Sequence, residues 1–120
     1  MKKALIVDDH ADIRKLIRLT LDFEDFEIHE AGNGSEGIAM AGSLQPDVLL
    51  VDVMMPGGVD GLEVCAAVKA DETLQNTRVV MLSARGTKDD IERGKAAGCD
   101  AYLVKPFSPL NLIQVISSLR

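Results

Sequence analysis

Short apolar runs alternate with longer amphipathic stretches along the whole chain. Residues 4–7 (ALIV), 48–51 (VLLV), 79–82 (VVML) and 101–104 (AYLV) are unbroken, rich in branched aliphatics and bounded by polar residues. Such runs suit strands covered on both faces. Residues 26–29 (FEIH) alternate apolar with polar, which predicts a fifth strand with one face less covered, most simply an edge. Between the strands, Ile13, Leu16, Ile17, Thr20 and Leu21 keep the spacing of one buried helix face, with Arg14, Lys15, Arg18 and Asp22 directed elsewhere. Asn33-Gly34-Ser35-Glu36 opens a second helix, and Asp60-x-x-Glu63 has capping-box spacing for a third. Thr87-x-x-Asp90 is a weaker cap for a fourth helix that Gly98 ends, and Ser108-Pro109 gives a fifth its N-cap and first-turn proline.

Five βα units in succession predict an α/β fold with a doubly wound, five-stranded parallel sheet, because parallel strands need right-handed crossovers that place helices on both faces. The 120 residues fit a single domain, residues 1–120, with no repeat or interdomain linker. With 47% of residues apolar, the chain has the side chains for a core that buries roughly two-thirds of the unfolded surface.

Charge narrows the partners. Thirteen Lys+Arg against nineteen Asp+Glu give a formal charge of -6, and no basic run could neutralise several phosphates, so direct nucleic-acid binding by this domain is not expected. Cys65 and Cys99 have neither Cys-x-x-Cys nor His spacing around them, which argues for two reduced thiols rather than a disulfide framework or a zinc site. The longest charge-free stretch, residues 106–119, contains two prolines and several polar residues and is too short for a membrane span. Asp8, Asp9 and Asp12 break the apolar run that follows Met1-Lys2-Lys3, so no signal peptide is read there. A cytoplasmic protein without membrane attachment is expected.

Ligands in such folds sit at the carboxyl ends of strands. Asp8 and Asp9 follow the first strand, Asp52 closes the third, Ser83 follows the fourth and Lys105 the fifth. Adjacent strands are about 4.8 Å apart, so these side chains can share one site. Crowded carboxylates repel unless a cation sits among them, and a hard divalent ion such as Mg²⁺ takes oxygen ligands. Taken singly, an aspartate there is commonly the N-cap of the next helix, Ser83 a loop serine and Lys105 an exposed turn residue. Asp52 differs, because an acid inside so apolar a run costs free energy unless it is paired or bound to metal. An ammonium opposite a carboxylate nucleophile can also hold the oxygens of an incoming phosphoryl group.

Taken together, Val7-Asp8-Asp9, Val51-Asp52-Val53-Met54-Met55-Pro56, Asp60-Gly61, Leu82-Ser83-Ala84 and Tyr102-Leu103-Val104-Lys105-Pro106-Phe107 make a chain that resembles the receiver domain of two-component response regulators over its whole length. The resemblance implies a flavodoxin-like sheet of order 2-1-3-4-5. It implies a phosphorylation-controlled signalling switch rather than an enzyme acting on other substrates. Asp52 would accept a phosphoryl group from a sensor histidine kinase, a phosphotransfer protein or a small phosphodonor, with Mg²⁺-dependent self-phosphorylation and autodephosphorylation. Asp9, Asp52 and the Met54 carbonyl would ligate Mg²⁺, Asp8 would hold metal-bound water, and Ser83 and Lys105 would contact the phosphoryl oxygens. The Lys105-Pro106 peptide would be cis. Ser83 and Tyr102 would form the switch that changes the surface of helix four, strand five and helix five toward a downstream protein or effector domain. Read alone, Tyr102 is equally a core aromatic with a wet hydroxyl.

Three departures and three rival readings bear on this. Gly57-Gly58-Val59 carries one residue more than the family usually has before the Asp-Gly of helix three, and Met54 and Arg85 occupy positions thought to tune phosphoaspartate hydrolysis. Helix five carries no charge from Ser108 to Leu119. A dimer on activation is one outcome the resemblance implies, but the mode that uses charged residues on that helix is disfavoured. On the same helix Leu110 falls among Gln114, Ser117 and Ser118, where it is a candidate partner contact. A haloacid-dehalogenase-like phosphatase would need an acid where Met54 stands. A flavin site would need a Ser/Thr/Gly-rich loop after the first strand. A purely structural receiver-like module would lack the acceptor or a metal ligand, and all of these residues are present.

Overall fold

A computed structural model describes residues 2–55 and 57–119, with the backbone alone at Phe23. Pro56, part of the motif after Asp52, lies outside the described residues. In chain order the elements are β1 (Lys2–Val7), α1 (Ala11–Leu21), β2 (Phe26–Ala31), α2 (Gly34–Leu44), β3 (Val48–Asp52), α3 (Gly61–Ala70), β4 (Arg78–Ser83), α4 (Lys88–Ala96), β5 (Ala101–Val104) and α5 (Pro109–Ser118). The strands form one sheet in the order β2-β1-β3-β4-β5, and every pairing is parallel. This is the flavodoxin-like order that the resemblance implies.

Strand side chains alternate between two cores. Leu5, Val7, Leu49, Val51, Val79 and Met81 face one side with Ala41 of α2 and Val64, Cys65 and Val68 of α3. Ala4, Ile6, Val48, Leu50, Val80 and Leu82 face the other with Ile17 and Leu21 of α1 and Leu112 and Ile116 of α5. β3, at the centre, is buried at all five positions. At roughly 2 kcal/mol for each fully buried large aliphatic, this strand anchors the sheet and with it Asp52.

The edges behave differently from the centre. β2 is an edge, as its alternation predicts, although it runs two residues further than the FEIH pattern. The unbroken run AYLV predicts that β5 is covered on both faces, yet its four residues are only partly buried or exposed. Its position at the other sheet edge explains this, since only β4 pairs with it.

Helix ends follow local chemistry. Asn33 Oδ1 accepts from Glu36 N–H at 2.8 Å and Asp60 Oδ1 from Glu63 N–H at 2.9 Å. Among the described residues, Glu63 makes no return bond, so the expected capping box at α3 is a one-sided cap. The full reciprocal box occurs instead at α5, where Ser108 Oγ accepts from Asn111 N–H and Asn111 Oδ1 accepts from Ser108 N–H. Gly98, at φ +100°, closes α4: its N–H reaches the Lys95 carbonyl at 2.9 Å and Cys99 N–H reaches that of Gly94 at 3.1 Å. That bond pair needs a left-handed turn between the two donor amides, at Gly98 itself, which glycine adopts without strain.

Candidate functional site

β1, β3 and β4 end level with one another, which brings their terminal polar side chains together. Asp8 follows the last β1 residue, and Asp52 and Ser83 are the last residues of β3 and β4. All three are nearly inaccessible, with Asp8 at 0%, Asp52 at 4% and Ser83 at 1%. Lys105, just beyond β5, is drawn in by its backbone, whose N–H donates to the Ser83 carbonyl at 2.7 Å. The Lys105-Pro106 peptide is cis, as expected.

The Lys105 ammonium joins the two buried acids. Nζ lies 2.9 Å from Asp8 Oδ2 and 3.5 Å from Asp52 Oδ2. Its tighter partner is therefore Asp8, not the carboxylate expected opposite it. The other Asp8 oxygen, Oδ1, accepts from His10 N–H at 2.8 Å and lies 3.1 Å from His10 Nδ1. Arg14, from α1, donates to the Asp8 backbone carbonyl at 2.6 Å while its Nε pairs with Glu30 at 3.0 Å.

Asp52 is held less firmly. Its Oδ1 accepts from Met54 N–H at 3.3 Å, the one hydrogen bond to its carboxylate among the described residues. Burial pushes its carboxyl pKa above the ordinary value, and the Asp8 charge adds to this, against the pull of Lys105. Asp9 is partly exposed, yet its Oδ1 is buried and accepts no hydrogen bond, with His10 Nδ1 nearby at 3.2 Å. The hydrogen bond from His10 to Asp8, reinforced by the charge of Asp9, raises the His10 pKa.

Carboxylate oxygens short of donors are what a hard divalent ion satisfies. One donor atom each from Asp8, Asp9, His10 and Asp52 lies within 4.8 Å of the other three, so the cluster could hold a metal ion. The orphaned Asp9 oxygen is the sharpest sign of fit. Met54 is tied in through its amide, while its side chain is 54% exposed.

A cleft of about 510 Å³ opens beside the acids, lined by Met54, Ser83, Arg85, Asp90, Arg93 and Tyr102 among others. Ser83 Oγ accepts from Arg85 N–H at 3.0 Å, which leaves its own proton to donate. Tyr102 donates from its hydroxyl to the Arg85 carbonyl at 2.8 Å. Its ring lies against α4 at Gly94, where an added Cβ would meet Tyr102 Cδ2 at 3.0 Å.

A family profile, the response regulator receiver domain, matches residues 4–117. The chain belongs to this family. It is 42% identical over 117 residues to the transcriptional regulatory protein ResD of Bacillus subtilis, covering 98% of this chain and 47% of that protein. Against the phosphate regulon transcriptional regulatory protein PhoB of Pseudomonas aeruginosa it is 38% identical, covering 93% of this chain and 48% of that one. The receiver thus spans about half the length of these curated relatives. In structure it is similar to the chemotaxis protein CheY4 of Vibrio cholerae, with a TM-score of 0.93, 33% identity and coverage of 100% of this chain and 99% of that one. Receiver domains are phosphoacceptor regulators that bind Mg²⁺ at an acidic pocket, so membership implies phosphorylation-dependent signalling. Among the described residues, no helix is long and apolar enough to cross a membrane.

Of the candidates read from sequence, Asp8, Asp9, Asp52 and Lys105 come together at the strand ends, and Ser83, Met54 and Tyr102 line the adjoining cleft. Sequence reasoning passes over two groups. His10 directly follows the acid pair, so an Asp-Asp-His run was available as a signal. The helical spacing places Arg14 only off the buried face of α1, and its bonds to Glu30 and the Asp8 carbonyl have no local sequence signal.

Proposed function

We propose that this receiver is switched by phosphorylation of Asp52, supplied by a sensor histidine kinase, a phosphotransfer protein or a small phosphodonor. The observation that carries the reading is a buried carboxylate with one hydrogen bond among the described residues, set beside an ammonium and two further acids. An oxygen of Asp52 bonds to phosphorus as the donor's P–N or P–O bond breaks, the electron pair leaving with the imidazole or the carboxylate of the donor. Autodephosphorylation is attack by water on the same phosphorus, with release of inorganic phosphate and the free Asp52 carboxylate.

The chain's own groups divide the work. Lys105, already 3.5 Å from Asp52 Oδ2, pairs with a phosphoryl oxygen, and the Ser83 hydroxyl donates to another. Asp9, Asp52 and the Met54 carbonyl would hold Mg²⁺, and Asp8 would order water beside it while orienting Lys105, which it meets at 2.9 Å. When bound, the ion neutralises charge between carboxylate and phosphoryl oxygens and so permits two anions to approach. Once Ser83 turns toward the phosphoryl group, the cleft between it and Tyr102 gives the ring room to leave Gly94 and rotate inward. The surface of α4, β5 and α5 then changes toward a downstream protein or effector domain, through differential contacts in two states.

Intact mass after incubation with acetyl phosphate and Mg²⁺ tests the reading. Wild type is expected to gain one phosphoryl group and Asp52→Asn none. An unmodified wild type, in the presence of a donor shown to be active, overturns it.

A further inference from the structure

We propose that His10 is a nitrogen ligand of the cation pocket, so that the pocket takes a late first-row divalent ion, cobalt, nickel or zinc, in addition to magnesium. The inference rests on reading the acidic pocket as a cation site and deepens it by assigning a further ligand and ion class.

The geometry is that of neighbouring donors on one ion. His10 Nδ1 lies 3.1 Å from Asp8 Oδ1 and 3.2 Å from Asp9 Oδ1. Donors adjacent to each other on an ion with bonds of about 2.1 Å are separated by about 3 Å. The two Asp8 oxygens are divided between opposite sides, Oδ2 to Lys105 and Oδ1 to His10. Lys105 thus takes Oδ2 alone, and Oδ1, which accepts the His10 N–H at 2.8 Å, keeps a further lone pair for an ion. The Asp9 oxygen beside His10 is buried without a hydrogen bond, so it gains a partner when an ion binds there. With 58% of its side chain exposed, His10 also provides an entry path and can turn its ring onto the ion.

Ligand chemistry then separates the two classes of ion. An ion on Nδ1 takes that nitrogen's lone pair and so replaces its 3.1 Å contact with Asp8 Oδ1. Magnesium is hard, holds oxygen and water, and gains little from nitrogen, whereas imidazole suits nickel, cobalt and zinc. His10 therefore sets selectivity between ions without being required for magnesium.

Calorimetric titration of the metal-free chain with Mg²⁺ and, separately, Co²⁺ tests this on wild type, His10→Ala and His10→Gln, each checked for folding by circular dichroism. The control is His29→Ala, because His29 pairs with Glu27 on the exposed face of β2 and is the other imidazole of the chain. Cobalt affinity is expected to fall at least about tenfold in both His10 variants and to hold in the His29 variant. Magnesium affinity is expected to stay within about twofold. The visible spectrum of bound Co²⁺ is expected to shift on loss of His10. Equal cobalt affinity with and without His10, or parallel loss for both ions, overturns the assignment while leaving the magnesium reading intact. Absence of binding by either ion to wild type overturns both.

Discussion

Lys105 and Asp8, separated by 97 positions in sequence, meet at 2.9 Å around a carboxylate that solvent does not reach. Removing one member of such a pair leaves an uncompensated buried charge, and here Asp52 adds a second. Lys105→Ala is expected to lower stability by about 3 kcal/mol in metal-free buffer. Mg²⁺ is expected to restore part of that loss by binding the folded state alone. Urea melts with and without Mg²⁺ read both effects, and an unchanged midpoint in metal-free buffer refutes the first.

Gly61, the first residue of α3, sits so close to the end of β3 that an added Cβ would collide with the Asp52 carbonyl oxygen and lie 2.7 Å from Val53 Cα. Its N–H also donates to the Val53 carbonyl at 2.9 Å. Gly61→Ala forces the backbone beside the acceptor to shift, at an expected cost of about 2–3 kcal/mol. Slower phosphorylation of Asp52 by acetyl phosphate should accompany it. Normal stability together with a normal rate would show that the contact is relieved elsewhere.

Asp100 provides a pH-dependent contribution away from the acidic pocket. Burial pushes its carboxyl up, but the Lys69 ammonium at 2.7 Å and the Val79 amide at 2.8 Å, helped by Arg78, outweigh this and hold its pKa below the usual range. A folded pKa below the unfolded one contributes stability that is complete above the unfolded value, about 3.9, and is lost as pH falls through the folded value. Asp100→Asn is expected to cost about 2 kcal/mol at pH 7. Melts of both proteins across the acid range should show the gap narrowing below about pH 4. A gap that widens on acidification contradicts the assignment.

Cys65 packs at the α3 side of the sheet, its Sγ 3.4 Å from the Ala97 carbonyl. Burial, with a smaller push from Cys99, raises its thiol pKa to about 12. Because the thiolate is the nucleophile, alkylation of native Cys65 at pH 8 is expected to be at least about a hundredfold slower than in urea. Peptide mapping after timed iodoacetamide exposure measures this. Equal rates in both states would show the thiol to be accessible.

How much the sequence reveals depends on whether the signal is local. Five strands, five helices and the strand-end acids follow from periodicity within short windows, and β3 with Asp52 at its end is legible from VLLV alone. The partners that tune the site are not local. Arg14 and Arg18 of α1 both grip Glu30 of β2 at 3.0 and 2.8 Å, although their spacing marks them only as residues off the buried face. The preference of Lys105 for Asp8 over Asp52 depends on how far β5 brings its chain inward. Apolar runs also cannot distinguish a central strand from an edge strand, which is why β5 is less covered than its composition suggests.

The uncharged α5, PLNLIQVISS with Leu110 62% exposed, has a kinetic consequence. A helix without ionic side chains adds no charge of its own to the field at this face, so a protein meeting it gains no acceleration from charges on α5 itself. Whatever salt dependence encounters through α5 show should therefore come from the domain's net charge of -6 rather than from paired charges on the helix. Salt sensitivity from paired charges in recognition is left to the charged faces of α1 and α4.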